Sequence, residues 1–407
     1  MTDSSGSGSG SGGGLKSAGR SAGLVGAAIG VLAAGAAAGV AIERMTVGRA
    51  IRSKARLALD ATGPFGTLRG TPGVAYAEDG TALRYEVEEP EPDGRGRPGL
   101  FRRNGTAPLT VVFSHGYCLS QDAWHFQRLA LRGKVRAVYW DQRSHGRSAR
   151  GHAQLDGEPA TIDQLGRDLR AVIDAAAPEG PLVLAGHSMG GMTVMAFAAQ
   201  FPELVRERVA GVFFVGTSAG KLSAVSLGLP AMGARAFRVL APSVLRALGS
   251  QATLVERGRR ATADLFAGIV KRYSFGSEVD PAVARLAERM IESTPIDVVA
   301  EFYPAFTEHE KAESLVVLDG RPALVMAGDK DLLTPSDHSA AIAERLPSAE
   351  LVVVPAAGHL VMLEHPEVVN AHLAALLARA ADAVRAPLPD AVRELASGHE
   401  VTQAARA

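Results

Sequence analysis

Short apolar runs punctuate the chain from residue 109 onward, and helix-patterned stretches lie between them. "LTVVFSH", "VRAVYWD", "PLVLAG" and "RVAGVFFVG" come first; "PALVMAGD" and "AELVVVPAAGH" come last. Runs this short and this apolar read as strands buried on both faces of a sheet. Between them, "WHFQRLAL", "TIDQLGRDLRAVIDAAA" and "MGGMTVMAFAAQF" are helical, and "EVVNAHLAALLARAADAV" closes the series. Strands alternating with helices predict an α/β fold, with a mainly parallel central sheet and helices on both faces. Thr161 and Gln164 predict a capping box at one helix start. Upstream, "VAYAEDGTALRYEVEE" alternates around Asp79-Gly80 and predicts a hairpin. Residues 90–108 are rich in Pro, Gly and charge, and read as a loop.

The alternation stops between about Ser218 and Ser314. Helical patterns such as "DPAVARLAERMIES" occupy that stretch, with no convincing strand. It reads as a helical insertion splitting the sheet domain into residues 73–217 and 315–385, with a cap at 218–314 and a tail at 386–407. Ligands of open α/β sheets bind at the carboxyl ends of the strands. An insertion after a strand therefore lies over the expected site.

One strand end carries "GHSMGG" (186–191). With 45 Gly in 407 residues, a G-x-S-x-G match alone means little. Its context is more informative. Ser188 sits between a strand ending near Ala185 and a helix starting near Met189. Gly186 and Gly190 make room for the sharp turn, which lifts the hydroxyl clear of the sheet. A serine hydroxyl needs a base, and the base an orienting acid. Past the two last strands lie "GDKDLLTP", with Asp329 and Asp331, and "GHL", with His359. Asp329 follows Gly328 directly and suits the turn, so Asp331 is the preferred acid and His359 the base.

An oxyanion site needs a second N–H donor beside that of Met189. "SHGY" after the first parallel strand offers Tyr117, with Gly116 permitting the turn. His115 belongs to that turn and reads as an orienting hydrogen-bonder. The charges of "DQRSHGRS" (141–148) tie a loop together. His187 reads as a packing residue and Cys118, the sole cysteine, as structural. One cysteine excludes an intrachain disulfide framework, and no Cys/His cluster suggests a metal. A formal net charge of zero argues against nucleic acid as a partner.

The N-terminal region differs in kind. Residues 1–20 begin as a Gly/Ser-rich sequence expected to be a flexible tail. Residues 21–42 hold no charge and are long enough to cross a bilayer as a helix. A membrane anchor is the favoured reading, against a cleaved signal peptide or an Ala/Gly helix that never inserts. Residues 43–72 form a basic linker, with Arg44, Arg49, Arg52, Lys54 and Arg56, while Lys16 and Arg20 precede the stretch. That excess places the downstream domain on the cytoplasmic side. Without insertion the protein would simply be cytoplasmic.

From about Gly73 to Arg385 the chain resembles the α/β-hydrolase superfamily. "SHGY", "DQRSHGRS", "GHSMGG", "GDKDLLTP" and "GHL" occur in the family's order. The resemblance implies an α/β-hydrolase fold with a helical cap. It implies Ser188 as nucleophile, Asp331 as acid, His359 as base, and Tyr117 and Met189 as backbone oxyanion donors. The implied reaction is hydrolysis of a carboxylic ester through an acyl-enzyme, without a metal or organic cofactor. Epoxide hydrolases of this superfamily carry aspartate at the elbow, so Ser188 disfavours that chemistry despite Tyr273 and Tyr303. Thioesterases, carbon–carbon bond hydrolases and haloperoxidase-like enzymes share the serine triad. Some members are slow-turnover ligand receptors. A cap rich in Leu, Ala, Val and Phe predicts an apolar small-molecule ester, with a lipid-derived ester of medium chain length as the natural candidate.

Overall fold

A computed structural model of the protein describes residues 65–91, 107–251 and 263–404. Eight strands form one sheet: β1 Thr71–Tyr76, β2 Ala82–Glu88, β3 Thr110–Ser114, β4 Arg136–Trp140, β5 Leu182–His187, β6 Val209–Val215, β7 Ala323–Gly328 and β8 Ala349–Val354. Their order is β1-β2-β4-β3-β5-β6-β7-β8. The β1–β2 hairpin and the β2–β4 pair are antiparallel. Every pairing from β4 through β8 is parallel. The hairpin turns at Gly80, whose φ of 80° suits a residue without a Cβ.

β3, β5, β6 and β7 are buried along their whole length, as expected for strands covered on both faces. Successive side chains on β3 point to opposite layers. Val111 and Phe113 join the apolar cluster that includes Leu373, Leu376 and Leu377 of the closing helix Pro366–Val384. Val112 joins the opposite cluster, with Leu169 and Val172 of the helix Ile162–Ala176 and Phe197 of the helix Met189–Gln200. β8 is an edge strand and leaves Leu351 and Val353 exposed.

The capping box expected at Thr161 is half formed. Thr161 Oγ1 accepts the Gln164 N–H at 3.1 Å. The Gln164 side chain is not turned back to Thr161; its Oε1 accepts from Gln154 Nε2 at 3.0 Å. A nearby amide donor outcompetes the local contact.

Between β6 and β7 the described residues contain no strand. Among the described residues, the α-helices of the cap are Ala231–Gly249, Ala263–Ser274, Pro281–Ser293 and Ile296–Thr307. The third has a strong start signal, Pro281 in its first turn and Asp280 accepting the Ala282 N–H at 2.7 Å. Beyond the closing helix, the segment read as a tail holds the helix Asp390–Ala404. Val392 is fully buried, and Leu395 and Ala396 pack on the core cluster. This corrects the expectation of a tail lying outside the domain: its apolar residues recur at helical spacing and find a partner in the helix before them.

The Gly/Ser-rich segment, the apolar stretch 21–42 and most of the basic linker lie outside the described residues. Among the described residues no helix is long and apolar enough to cross a membrane.

Candidate active site

Ser188 links β5 directly to the helix Met189–Gln200. Its backbone, at φ 52° and ψ −118°, is a conformation that non-glycine residues avoid. Such a residue costs on the order of 1–3 kcal/mol and must be held by its surroundings. Here the Ser188 N–H donates to the Val215 carbonyl at 2.9 Å. The Ser188 carbonyl accepts from Gly191 N at 2.9 Å and Thr217 Oγ1 at 2.7 Å. The flanking glycines are sterically required. A Cβ on Gly186 would come within 2.5 Å of the Gly190 backbone, and one on Gly190 within 2.1 Å of the Ser114 carbonyl oxygen. The serine side chain is left partly exposed at the helix N-terminus.

β5 lies between β3 and β6, with β7 and β8 beyond. Parallel strands bring their carboxyl ends to one edge, so the turns after β3, β5, β6, β7 and β8 share it. Asp331 follows β7 and His359 follows β8. Their side chains meet: His359 Nδ1 donates to Asp331 Oδ2 at 2.8 Å. The Asp331 carboxylate is buried and accepts three further bonds. Oδ1 takes the N–H groups of Leu333 and Thr334 at 2.8 and 2.9 Å, and Oδ2 takes Thr334 Oγ1 at 2.8 Å. Burial by itself pushes this carboxyl up. The His359 imidazole and the Thr334 donors outweigh burial and hold it below the usual carboxylate range. An ionised carboxylate only accepts, so the proton sits on Nδ1 and Nε2 of His359 is the basic nitrogen. Asp329, by contrast, is exposed and faces Lys330 at 3.3 Å.

The Tyr117 turn after β3 lies against the elbow. A Cβ on Gly116 would fall 3.2 Å from the Ser188 Cβ. The backbone N–H groups of Tyr117 and Met189 donate to no acceptor among the described residues. His115 is fully buried, and both of its ring nitrogens are engaged. Nδ1 donates to the Gly116 carbonyl at 2.7 Å, and Nε2 accepts the Gln142 N–H at 3.0 Å. Burial holds its pKa down at about 4, with the Gly116 bond opposing, so the ring is neutral. Gln142 continues the network, donating to the His115 carbonyl at 2.6 Å and accepting from Thr193 Oγ1 at 2.7 Å. In the same loop, Arg143 grips Asp168 through two bonds of 2.6 Å.

Three contacts at the site had no signature in the sequence. His187, read as packing, donates from Nε2 to the His359 carbonyl at 3.0 Å. Glu364 accepts Gly358 N at 2.7 Å, Gly276 N at 2.9 Å, Ser277 N at 2.5 Å and Ser277 Oγ at 2.6 Å. It thus joins the residue before His359 to a loop of the cap. Glu301, in the cap helix Ile296–Thr307, pairs with Arg150. Burial raises the Glu301 carboxyl to about 7, against the pull of Arg150. Above the elbow, Met189 and Met192 pack with Val298, Phe302 and Ala305 of that cap helix, flanked by Leu222 and Phe306. Among the described residues no group of His, Cys, Asp and Glu is arranged to hold a metal ion.

A mainly parallel sheet, a strained serine at a strand-to-helix turn and a His–Asp pair at the same edge define an α/β enzyme of the nucleophile-elbow type. Residues 111–372 match the model of the alpha/beta hydrolase family, and the chain belongs to that family. It has the fold of the α/β-hydrolase superfamily. The chain is 28% identical over 281 residues to the dihydrolipoyllysine-residue acetyltransferase component of the acetoin cleaving system of Pseudomonas putida. That match covers 68% of this chain and 65% of the other, just under two-thirds of its length. It is 28% identical over 299 residues to a monoacylglycerol lipase of Mycolicibacterium smegmatis, covering 70% and 88% of the two chains. A thermophilic esterase from Thermogutta terrifontis superposes with a TM-score of 0.55 at 24% identity, covering 76% of this chain and 98% of that one.

Proposed function

We propose that the protein is a serine hydrolase that cleaves carboxylic esters through an acyl-enzyme on Ser188. The observation that carries this reading is the buried His359–Asp331 pair at the sheet edge where Ser188 presents its hydroxyl. In the reaction, His359 Nε2 takes the Ser188 proton as Oγ attacks the ester carbonyl carbon. Asp331 holds the Nδ1–H tautomer and stabilises the imidazolium that forms. The N–H groups of Tyr117 and Met189 receive the oxyanion. The tetrahedral intermediate collapses, and His359 protonates the leaving alkoxide. Water then attacks the acyl-enzyme with the same base, releasing the acid and restoring Ser188.

An apolar acyl group of medium length, as in a monoacylglycerol, is the proposed substrate. Support comes from the apolar cluster between the elbow helix and the cap, and from likeness to a monoacylglycerol lipase. Hydrolysis of p-nitrophenyl esters from acetyl to dodecanoyl, with Ser188→Ala as control, tests both parts. Turnover by wild type no faster than by the variant removes the hydrolase reading. A preference for acetyl removes the apolar substrate.

Residues 21–42 are proposed as a membrane anchor that leaves the catalytic domain on the cytoplasmic face, on their uncharged length and the basic residues after them. Carbonate-resistant sedimentation of the full chain, absent from a chain starting near Gly63, is the expected result. Full-length protein in the soluble fraction would refute it.

A further inference from the structure

Tyr117 contributes more than a backbone N–H. Its phenol O–H donates to the carbonyl oxygen of Val299 at 2.5 Å, across 182 positions of sequence. Val299 belongs to the cap helix Ile296–Thr307. The ring is clasped by the same helix, edge-on to Phe306 at a centroid distance of 4.9 Å and stacked with Phe302 at 6.3 Å. On the core side it meets His145 at 6.0 Å. Burial pushes the phenol well above the ordinary tyrosine range, with the Cys118 thiol and the Glu301 carboxylate adding to it, so the group remains a donor.

The backbone of this turn has one closing bond of its own, from the Leu119 N–H to the Gly116 carbonyl at 3.2 Å. Cys118, the next residue, has a φ of 58°, a conformation unfavourable for a residue with a Cβ. Three side-chain anchors add to that bond. Two belong to the core: the His115–Gly116 bond and the Gln142 bonds to His115. The third is the Tyr117 side chain, and its partner is the cap.

We propose that Tyr117 is a positioning residue, through which the cap helix Ile296–Thr307 holds the Tyr117 N–H at the oxyanion of the reacting ester. The inference rests on the reading of Ser188 as nucleophile. On this view the cap does more than cover the acyl group. Its seating on the core sets the geometry of one of two oxyanion donors, so cap position and transition-state stabilisation are coupled. A donor displaced by a fraction of an ångström loses part of its interaction with the oxyanion, while ground-state binding is little affected.

The test compares wild type with Tyr117→Phe, which keeps the ring and removes the O–H, and with Phe306→Leu, which loosens the same clasp from the cap side. Two readouts are taken: kcat and KM for p-nitrophenyl butyrate, and the limiting rate of Ser188 labelling by a fluorophosphonate. Both limiting rates are expected to fall about tenfold in Tyr117→Phe, with KM within about twofold of wild type. Phe306→Leu is expected to show a smaller fall of the same kind. A residue that merely docks the cap would lower the melting temperature or raise KM and leave the limiting rates alone; limiting rates within about twofold of wild type in Tyr117→Phe overturn the proposal. If circular dichroism finds Tyr117→Phe unfolded, the limiting rates of Phe306→Leu decide by the same criterion. Wild-type protein that is not labelled at Ser188 removes the nucleophile reading, and this proposal with it; labelled wild type with unchanged variants removes this proposal alone.

Discussion

His187 donates its Nε2–H to the carbonyl oxygen of His359 over 3.0 Å. The strand that ends at the elbow is thereby bonded to the loop that carries the imidazole, and the two rings lie 4.7 Å apart. Burial, together with the neighbouring His359, pushes the His187 pKa well below the ordinary range, so this ring stays neutral. Among the described residues its Nδ1 has no partner, and the Nε2 bond is its single polar attachment there.

His187→Phe should therefore keep the packing and lose the tie. We expect kcat to fall by roughly tenfold, because His359 is held less closely to its productive position. Steady-state kinetics on a p-nitrophenyl ester, with circular dichroism to check folding, provides the measurement. Unchanged kcat in a folded variant would mean that the bond serves only packing.

Asp331→Asn preserves shape and removes the charge that stabilises the imidazolium. An amide facing His359 also favours the wrong tautomer, with the proton on Nε2. A loss of about 10⁴ in kcat follows from the comparable change in a serine triad. A variant retaining more than about a tenth of wild-type kcat would displace Asp331 from its role.

Glu364 accepts from four donors, three of them backbone N–H groups. In Glu364→Gln an NH2 group must face one of these donors. We expect a loss of about 1–2 kcal/mol in stability, read by urea denaturation, together with a drop in kcat from the loosened Gly358–His359 loop. Wild-type stability and kcat would show that the loop is held without the carboxylate.

Glu301 titrates near 7 in the folded protein, against a reference value of 4.5. Its folded-state value is raised, so the stability linked to the protonated form is complete below about 4.5 and is lost as pH rises through about 7. Glu301→Gln does not titrate. Its melting temperature minus that of wild type should therefore increase from pH 5 to pH 8, by roughly 2 °C or more. Thermal melts of both proteins across that range give the result, and a difference that is flat with pH would contradict it.

Much of the architecture was legible in the sequence because a buried strand and a covering helix leave different periodicities. The hairpin around Asp79-Gly80, the parallel run of strands and the helical stretch between β6 and β7 all follow from such patterns. Ser188, Asp331 and His359 could be selected because each sits just past a strand end, in a turn that no packing requirement explains. The helix Asp390–Ala404 was missed although Val392, Leu395 and Ala396 have helical spacing. Its short apolar face is convincing only against a partner helix.

By itself, then, the order of residue types determined the elements, the edge of the sheet where chemistry gathers, and the residues presented there. What it could not determine is which turns become neighbours. That depends on strand order, which sets β5 between β3 and β6 and so brings the Tyr117 turn against Ser188. Nor could it place the bonds from Tyr117 to Val299, His187 to His359 or Glu364 to Gly276. In each of these one partner is a backbone group, which every residue carries. Backbone partners leave no mark on residue identity, and only the folded chain decides which of them a side chain meets.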